Sequence, residues 1–546
     1  MDFADWKPGE ALVMTGRNSD GFKATIGQLK GSYSLRAVID ADLQSSILQK
    51  QGTLYSDKII FEVNEKGETI IDVRINNIMK GGEFKETETI KLLKMQSDLL
   101  TAFYHAPAFI EAAVILPASY QQSPGKHYPV VFVFPGWGST HMAVTRDDFQ
   151  QKRYGMSGYG QEKIFVFLNQ DCRFGFHVFA DSENNGPRAT SFVKEFIPFL
   201  EEKYRVARQA CGRFLVGQSS GGWAALWLQV NSPDVFGMAW AGSPDPLDFR
   251  DFVGHDLYGK KANFFYDAQG GLTKAMRSEE HPFTNKEWLE METVLGDGGQ
   301  FQSFEAVFGA RGRDGRPQQL FDRKTGAIDG KALAHWQDYD INLVIRKNAE
   351  SLREKLADKI NIVVAADDPF FLDGSVRLLK ESLAHLRLKA DIEILEGGEH
   401  NTWSEESRKK MHEKMDGIFL QAAPPGDRSA CSGPYLGQKP PGMTAEIFAP
   451  GILSTSNPEV CISFTPDGKE VYYTVGGPPH SVILFRKEVD GVWTEPQVAP
   501  FSGSYSAECQ LAPDGKRLYF CSGMPLSGTG DPKGNWDLFK VERNGA

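Results

Sequence analysis

The sequence has few cysteines, and none of them form a Cys-x-x-Cys pair. Zinc sites and disulfide-dense folds depend on closely or regularly spaced cysteines, so the sequence predicts neither. We expect most of these residues to be buried thiols. The 546 residues contain six cysteines, at Cys172, Cys211, Cys431, Cys461, Cys509 and Cys521.

Long apolar runs, an excess of basic charge and a secretory start are also missing. No apolar run is long enough to cross a bilayer. The formal net charge of -11 argues against a general nucleic-acid binder. The first residues, Met1 to Trp6, are acidic and lack the basic and then apolar stretch of a signal peptide. We therefore expect a soluble chain that is not exported, unless its true start lies upstream.

The length and the composition are those of a globular protein with two to four domains. Hydrophobic residues make up 41% and charged residues 24%, which is ordinary for such proteins. Residues 1–105 alternate polar and apolar positions, as in "KIIFEVNEKGETIIDVRI", and this predicts an antiparallel β domain. Residues 106–422 instead alternate continuous apolar runs with amphipathic helices, which predicts a doubly wound α/β domain with a mostly parallel sheet.

Seven apolar runs are the predicted strands of this sheet, and two segments between them are the clearest predicted helices. A long aromatic segment at about 244–345 shows no such alternation, and we expect it to form a cap or insertion near the site. The predicted strands are "AAVILP", "PVVFVFPG", "KIFVFLNQ", "RFLVG", "GMAWAG", "INIVVAADD" and "ADIEILEGG", and the helices are "SFVKEFIPFLEEKY" and "VRLLKESLAHLRL".

The C-terminal part contains a linker and a repeat. Residues 423–442 are rich in Pro, Gly and Ser, which is typical of a linker. Within 443–546, "CISFTPDGKEVYYT" and "CQLAPDGKRLYFCS" share a turn, and Asp467 and Asp514 lie 47 residues apart, near the period of a β-propeller blade. Closed propellers have about four to eight blades, so two copies cannot close a ring. Either the chain is incomplete or these strands pack differently. A protein or glycan is the kind of partner we expect for the repeats.

The stretch "FLVGQSSGGWAALWL" carries a Gly-x-Ser-x-Gly pattern centred on Ser219. A pattern this short often matches unrelated sequences by chance, so on this evidence alone Ser219 could be an ordinary serine between glycines. A nucleophile elbow also needs a buried strand before the serine and a helix after it. Both are predicted here, whereas the near-match at residues 155–158 has neither. We therefore interpret Ser219 as a catalytic nucleophile.

A serine nucleophile needs a histidine base and a carboxylate that orients it, and in α/β-hydrolases they follow in the order Ser, acid, His. His400 comes directly after the predicted strand "ADIEILEGG", where open α/β sheets place their sites. Asp367 and Asp368 end the preceding strand, and we favour Asp368 as the acid. Asp373 is a third candidate, and a helix cap or turn is the common alternative role for such residues.

An oxyanion hole requires backbone N–H groups that point at the developing negative charge. Ser220, which follows the nucleophile, is expected to supply one of them. The second is expected from the loop "PGWGS", either at Trp137 or at Gly138. The alternative interpretation of this loop is a plain turn.

The segment from about 110 to 420 resembles the putative esterase family of α/β-hydrolases, which includes feruloyl esterases, enterochelin esterases and S-formylglutathione hydrolase. The resemblance lies in "GQSSGG" followed by "NSPDVF", in "ADDPFFLDG" and in "GGEHNTW". The second of these is similar to an S-formylglutathione hydrolase pattern, and this implies that Asp368 is the acid. The C-terminal repeats resemble TolB-type propellers, which are often extracytoplasmic.

These observations together predict a serine carboxylic-ester hydrolase that works through an acyl-enzyme and needs no metal or organic cofactor. The expected substrate is a small-molecule or carbohydrate-linked ester, of the kind that feruloyl or acetyl esterases cleave. One alternative is a serine peptidase of the prolyl oligopeptidase type, although there the propeller precedes or interrupts the catalytic domain. Another is an inactive hydrolase fold that binds carbohydrate or protein.

Overall fold

The computed structural model describes most of the chain in two compact units. One unit comprises Met1–Ala118, Tyr128–Met156 and Lys163–Met411, and the other comprises Ser119–His127, Ser157–Glu162 and His412–Ala546. The described residues are 31–39, 45–46, 52–63, 71–80, 84–146, 148–278, 283–422, 434–438, 448–449, 453–454, 458–477, 480–489, 492–494, 496–503, 505–525 and 535–543.

A mixed sheet of eight strands forms the centre of the first unit. Six neighbouring strands are parallel, and the last two strands at one edge are antiparallel. The order across the sheet is Asp391–Leu395, Ile360–Ala365, Met238–Gly242, Arg213–Gln218, Val130–Phe134, Ile164–Leu168, Phe109–Ile115 and Ile90–Gln96.

The strands of this sheet are where the continuous apolar runs of the sequence predict them. Every residue of Val130–Phe134, Ile164–Leu168 and Ile360–Ala365 is buried, because helices cover both faces of a parallel sheet. All seven predicted strands take part, so the predicted α/β domain with its mostly parallel sheet is confirmed. The eighth strand, Ile90–Gln96, falls inside the predicted N-terminal domain but pairs with Phe109–Ile115.

Helices follow most of the parallel strands. We call Arg213–Gln218 the elbow strand and Ser220–Asn231 the elbow helix; eleven of the twelve residues of this helix are buried. The predicted helix at 376–388 is observed as Leu372–His385. The segment predicted as one helix at 191–204 is Arg188–Ser191, a π-helical turn at Phe192–Phe196, and Ile197–Lys203. The other helices outside the insertion are Asp98–Tyr104, Phe149–Arg153, Ala349–Leu352 and Glu405–Ala422, with 3₁₀ turns at His141–Thr145 and Ala210–Gly212.

The segment at 244–345 contains helices around an aromatic cluster. The helices are Asn285–Leu295, Gln300–Phe308, Gly330–Trp336 and Ile341–Lys347, with 3₁₀ turns at Phe249–Asp251 and Gln337–Tyr339. The buried rings of the cluster are Phe249, Phe252, Phe264, Phe301, Phe304, Phe308, Phe321 and Trp336. The core of this insertion is therefore built mainly from aromatic rings.

The described N-terminal residues form two small antiparallel sheets. Gly31–Leu35 pairs with Ile59–Val63, and Leu54–Ser56 lies between Val38–Ile39 and Ile75–Ile78. The antiparallel pairing agrees with the alternating sequence pattern. A separate domain at 1–105 stays a prediction. Two further short hairpins, Asp171–Cys172 with Gly175–Phe176 and Asp181–Ser182 with Gly186–Pro187, belong to the same unit.

Two antiparallel sheets make up most of the second unit. The two Pro-Asp-Gly turns connect Glu459–Phe464 to Glu470–Gly477 and Ser506–Leu511 to Arg517–Ser522. Each first strand has a bulge with a residue of positive φ, at Cys461 and at Glu508, which lie 47 residues apart like the turns. The remaining strands are His480–Val489, Val492–Trp493, Gln497–Val498 and Asp537–Glu542. The repeat is thus visible in the structure, while its assignment to a propeller stays a prediction.

The structure also bears on the predicted linker, the cysteines and membrane-spanning helices. Of the predicted linker at 423–442, only residues 434–438 lie among those that the structure describes. Among the five cysteines that are described, Cys172 and Cys509 are buried and Cys461 is exposed. The prediction that most of the cysteines are buried is therefore met by only two of these five. No helix in the described part of the chain has the length and apolar character needed to cross a membrane.

Candidate active site

Ser219 lies at a sharp turn between the elbow strand and the elbow helix. Its backbone has φ 57° and ψ −125°, a conformation that costs a non-glycine residue about 1–3 kcal/mol. A Cβ at Gly217 would lie 2.0 Å from the carbonyl oxygen of Gly221, and a Cβ at Gly221 would lie 2.0 Å from that of Phe134. Gly217 is therefore required by the close approach of the elbow strand to the elbow helix, and Gly221 by the close approach of that helix to the end of Val130–Phe134. The turn places Ser219, which is half-buried, at the carboxyl end of the sheet.

His400 and Asp368 are brought together from the ends of two neighbouring strands. The Nδ1 atom of His400 lies 2.9 Å from Oδ2 of Asp368, and the backbone N–H of Phe370 donates to Oδ1 of Asp368 at 2.9 Å. The Asp368 side chain is fully buried, whereas a quarter of the His400 side chain is exposed. Because both carboxylate oxygens are engaged, Asp368 has a fixed orientation toward the imidazole.

The other two acid candidates lie elsewhere. Asp367 is exposed, and Asp373 forms ion pairs with Arg277 at 2.7 Å and with Arg377 at 3.4 Å. The described residues thus include one carboxylate, Asp368, in hydrogen-bond contact with the His400 ring.

A cavity of about 300 Å³ connects Ser219 with His400. Aromatic side chains form much of its wall, and the insertion supplies part of it. The lining residues are Pro135, Gly136, Trp137, Ser139, Gln150, Arg153, Tyr154, Gln218, Ser219, Asp245, Pro246, Val253, Ala275, Trp288, Gln300, Phe301, Phe304, Phe370, Leu372 and His400. The volume is that of a small ligand site.

The loop after Val130–Phe134 lies beside Ser219. A Cβ at Gly136 would lie 3.5 Å from the Cβ of Ser219, and Gly136 and Trp137 both line the cavity. The Trp137 indole N–H donates to the carbonyl of Gly298, at 3.3 Å, and so fixes the ring against the insertion. Gly138 has φ 82° and is not among the cavity-lining residues of the described chain. Ser220 begins the elbow helix, where the first backbone N–H groups have no partner within the helix.

One acidic residue of the site was not predicted from the sequence. Asp245 accepts a hydrogen bond from the Ser219 hydroxyl at 3.2 Å and another from the Ser220 hydroxyl at 2.5 Å. Burial raises the pKa of the Asp245 carboxyl to about 6. A signal was present, since Asp245 comes three residues after the strand Met238–Gly242, the neighbour of the elbow strand.

Two side chains hold the loops that carry His400 and Asp368. The Gln218 amide donates to the backbone carbonyl of His400 at 2.6 Å. Arg277 comes from the insertion, and its guanidinium donates to the carbonyl of Asp368 and to the carboxylate of Asp373, both at 2.7 Å. The same guanidinium lies over the Phe371 ring, 4.4 Å from its centre. The insertion therefore stabilises the loop at 366–371, which we call the acid loop, as well as forming a cavity wall.

Comparison with protein families identifies this chain. The model of the Esterase family, described as "Putative esterase", matches residues 108–405, which is more than half of the chain. The chain belongs to this family. The predicted resemblance is thereby confirmed for the α/β-hydrolase domain, and membership supports a hydrolase.

Individual relatives are distant. Two curated proteins, Esterase Rv1288 and Esterase MT1326 from two strains of Mycobacterium tuberculosis, are each 29% identical over 141 residues. The match covers 26% of this chain and 30% of each relative, so the chain spans less than a third of their length.

Solved structures match over a longer part of the chain. A ferulic acid esterase is 16% identical and covers 61% of this chain and 98% of its own, with a TM-score of 0.36. An S-formylglutathione hydrolase from Agrobacterium tumefaciens is 13% identical and covers 61% of this chain and 95% of its own, with a TM-score of 0.37.

Proposed function

We propose that this protein hydrolyses a carboxylic ester through a triad of Ser219, His400 and Asp368. The Ser219 oxygen attacks the ester carbonyl carbon while Nε2 of His400 accepts the hydroxyl proton. The backbone N–H groups of Ser220 and Trp137 stabilise the oxyanion. His400 then donates its proton to the leaving alcohol, and an acyl-enzyme remains on Ser219.

The second half of the reaction uses the same groups. Water attacks the acyl carbonyl, His400 accepts its proton, and collapse of the intermediate releases the acid and restores the Ser219 hydroxyl. Asp368 holds the proton on Nδ1 of His400, so that Nε2 keeps its lone pair for the nucleophile.

The observation that carries this proposal is the contact between Nδ1 of His400 and Oδ2 of Asp368 at 2.9 Å, at a cavity that Ser219 also lines. The contact directs Nε2 away from the acid. The strained elbow supports the assignment of Ser219, because strain of this kind is retained where function requires it.

The cavity walls favour an ester with an aromatic or other flat apolar group. Six of the lining side chains are aromatic, and they are Trp137, Tyr154, Trp288, Phe301, Phe304 and Phe370. Rings of this kind bind a flat apolar group by edge and face contacts. We therefore favour a feruloyl-type acyl group over a short acetyl group within the esters that the sequence suggests.

A substrate panel tests this function. The purified protein is assayed with a feruloyl ester, an acetylated sugar, a short-chain p-nitrophenyl ester and a peptide anilide. We expect the highest kcat/KM on the feruloyl ester and little or no cleavage of the anilide. Ser219→Ala should lower kcat by about 10⁴-fold, while Ser157→Ala, at an exposed serine, keeps wild-type kcat. Preference for the anilide, or an unchanged Ser219→Ala variant, would overturn the proposal.

A further inference from the structure

Asp245 is a buried carboxyl that touches the nucleophile, and the triad mechanism gives it no part. It lies on the loop after Met238–Gly242 and is only 2% exposed. The Asp245 backbone N–H donates to the Ser219 carbonyl at 3.2 Å, and the Ser219 N–H donates to the Gly242 carbonyl at 3.0 Å. These two backbone hydrogen bonds hold the loop that carries Asp245 against the turn at Ser219. They therefore keep the Asp245 carboxyl close to the Ser219 hydroxyl.

The hydroxyl of Ser219 has one proton, which it can donate to a single acceptor at a time. In this structure Oδ1 of Asp245 accepts it at 3.2 Å. Attack on an ester requires that the same proton move to Nε2 of His400. A carboxylate accepts more strongly than a neutral acceptor, because hydrogen bonds to an ionised group are the stronger kind.

We propose that Asp245 is a regulatory residue of the proposed active site, whose ionised carboxylate holds the Ser219 hydroxyl in the free enzyme and competes with His400 for its proton. This inference rests on the function proposed above. It predicts that the negative charge on Asp245 slows the attack of Ser219, and that protonation of Asp245 removes the competition.

The charged groups around Asp245 set the pH at which this change occurs. Burial raises its pKa to about 6, with hydrogen bonds from the two serines and the nearby imidazole of His400 acting in the opposite direction. The carboxylate of Asp368 on the neighbouring loop adds a smaller rise, and Arg153 is a further charged residue that lines the cavity. Asp245 is therefore mostly ionised above pH 6, and its competition with His400 is lost as the pH falls through 6.

The two hydrogen bonds to Asp245 differ in length, and this indicates which one is released. The Ser220 hydroxyl donates at 2.5 Å, which is a strong bond, whereas the Ser219 hydroxyl donates at 3.2 Å, beyond the usual O–H···O range. A protonated Asp245 keeps one good acceptor oxygen, and we expect Ser220 to retain it. The Ser219 hydroxyl is then free to donate to His400.

The test compares wild type with Asp245→Asn, which keeps the shape and removes the charge. The kcat/KM of both is measured on p-nitrophenyl acetate between pH 5 and pH 8.5. The ratio of variant to wild type removes the pH effects that both proteins share. We expect this ratio to lie near one at pH 5, to rise about fivefold through pH 6 and to stay level above pH 7.

A ratio that is independent of pH, or one that falls as the pH rises, would overturn the inference. A falling ratio would mean that the charge supports catalysis. Asp245→Ala and Asp245→Ser provide the same comparison if the Asn variant folds poorly, and thermal unfolding reports on folding for each. A wild type that hydrolyses no ester contradicts the proposed function itself, whereas an active wild type with a flat ratio contradicts only the role of Asp245.

Discussion

The three proposed catalytic side chains differ in how tightly their surroundings hold them. Asp368 is fully buried and uses both oxygens, and His400 is fixed through its ring and its carbonyl. Ser219 has a fixed backbone, and its hydroxyl donates to Asp245, whereas the proposed mechanism requires the hydroxyl to donate to His400. The direction of that hydroxyl is therefore the most adjustable part of the site.

The adjacent residues Asp367 and Asp368 give a matched pair for testing the acid. Asp368→Asn should lower kcat by about 10³–10⁴-fold, because an amide cannot hold the His400 proton on Nδ1. Asp367→Asn changes an exposed side chain and should keep kcat within about twofold of wild type. The measurement is steady-state hydrolysis of p-nitrophenyl acetate. Loss of activity in the Asp367 variant with retention in the Asp368 variant would move the acid by one residue.

Among the elements, the insertion at 244–345 acts on the site through Arg277. Its guanidinium holds the acid loop at the Asp368 carbonyl and the following helix, Leu372–His385, at the Asp373 carboxylate. The Asp373 side chain is 9% exposed in that pair. The loop also contains Phe371 with φ 58°, so it needs support from its surroundings.

Arg277→Met should remove both hydrogen bonds and loosen the acid loop. We expect kcat to fall about tenfold with little change in KM, because the ring of His400 then spends less time in the reactive orientation. Arg277→Lys should restore part of the activity, since it keeps the charge. Arg313→Met, at an exposed arginine of the same insertion, is the control and should behave as wild type. A wild-type kcat for Arg277→Met would show that the loop needs no such support.

The elements that the sequence predicts well are those with a local signal. The parallel strands are continuous apolar runs, and the elbow has a strand, a glycine-flanked serine and a helix in direct succession. The helix Asn285–Leu295 also has a local signal, a capping box formed by Thr284 and Glu287, although the segment around it shows no alternation of strands and helices. The strand Ile90–Gln96 has polar residues between apolar ones, as an antiparallel strand at a sheet edge does, so its pattern is similar to that of the N-terminal region.

Long-range contacts account for what the sequence could not predict. Asp245 reaches Ser219 because the chain turns at Ser243, a residue with φ 35° that no turn pattern marks. Arg277 reaches the acid loop across 91 residues of sequence, which no spacing rule anticipates. Both Asp367 and Asp368 end the same strand in the sequence, and only the family resemblance implies Asp368; the side-chain directions that separate them are visible only in the fold.

For the whole molecule, the proposed chemistry belongs to the first unit. All described residues that line the cavity lie at or before His400, and the last strand of the central sheet along the chain ends at Leu395. The C-terminal sheets have their own apolar core, which includes Tyr472, Ile483 and Leu518. Ester hydrolysis should therefore not depend on the repeats.

A chain truncated after Ala422 tests this division. It retains the helix Glu405–Ala422 and its contacts to the loop at 157–162, such as the Gln161 N–H donating to Asp416 at 2.9 Å. We expect the truncated protein to keep the kcat of the full chain on p-nitrophenyl acetate. A folded truncated protein without activity on an ester that the full chain cleaves would place part of the active site on the repeats.

Covalent labelling of Ser219 tests the central claim most directly. A fluorophosphonate reacts with a serine only where a base and an oxyanion site activate it, and mass spectrometry of the digested protein locates the modified residue. We predict stoichiometric labelling of Ser219 in wild type and in Ser157→Ala, and none in Ser219→Ala. Folded wild-type protein that is not labelled, or that is labelled at another serine, would contradict the account.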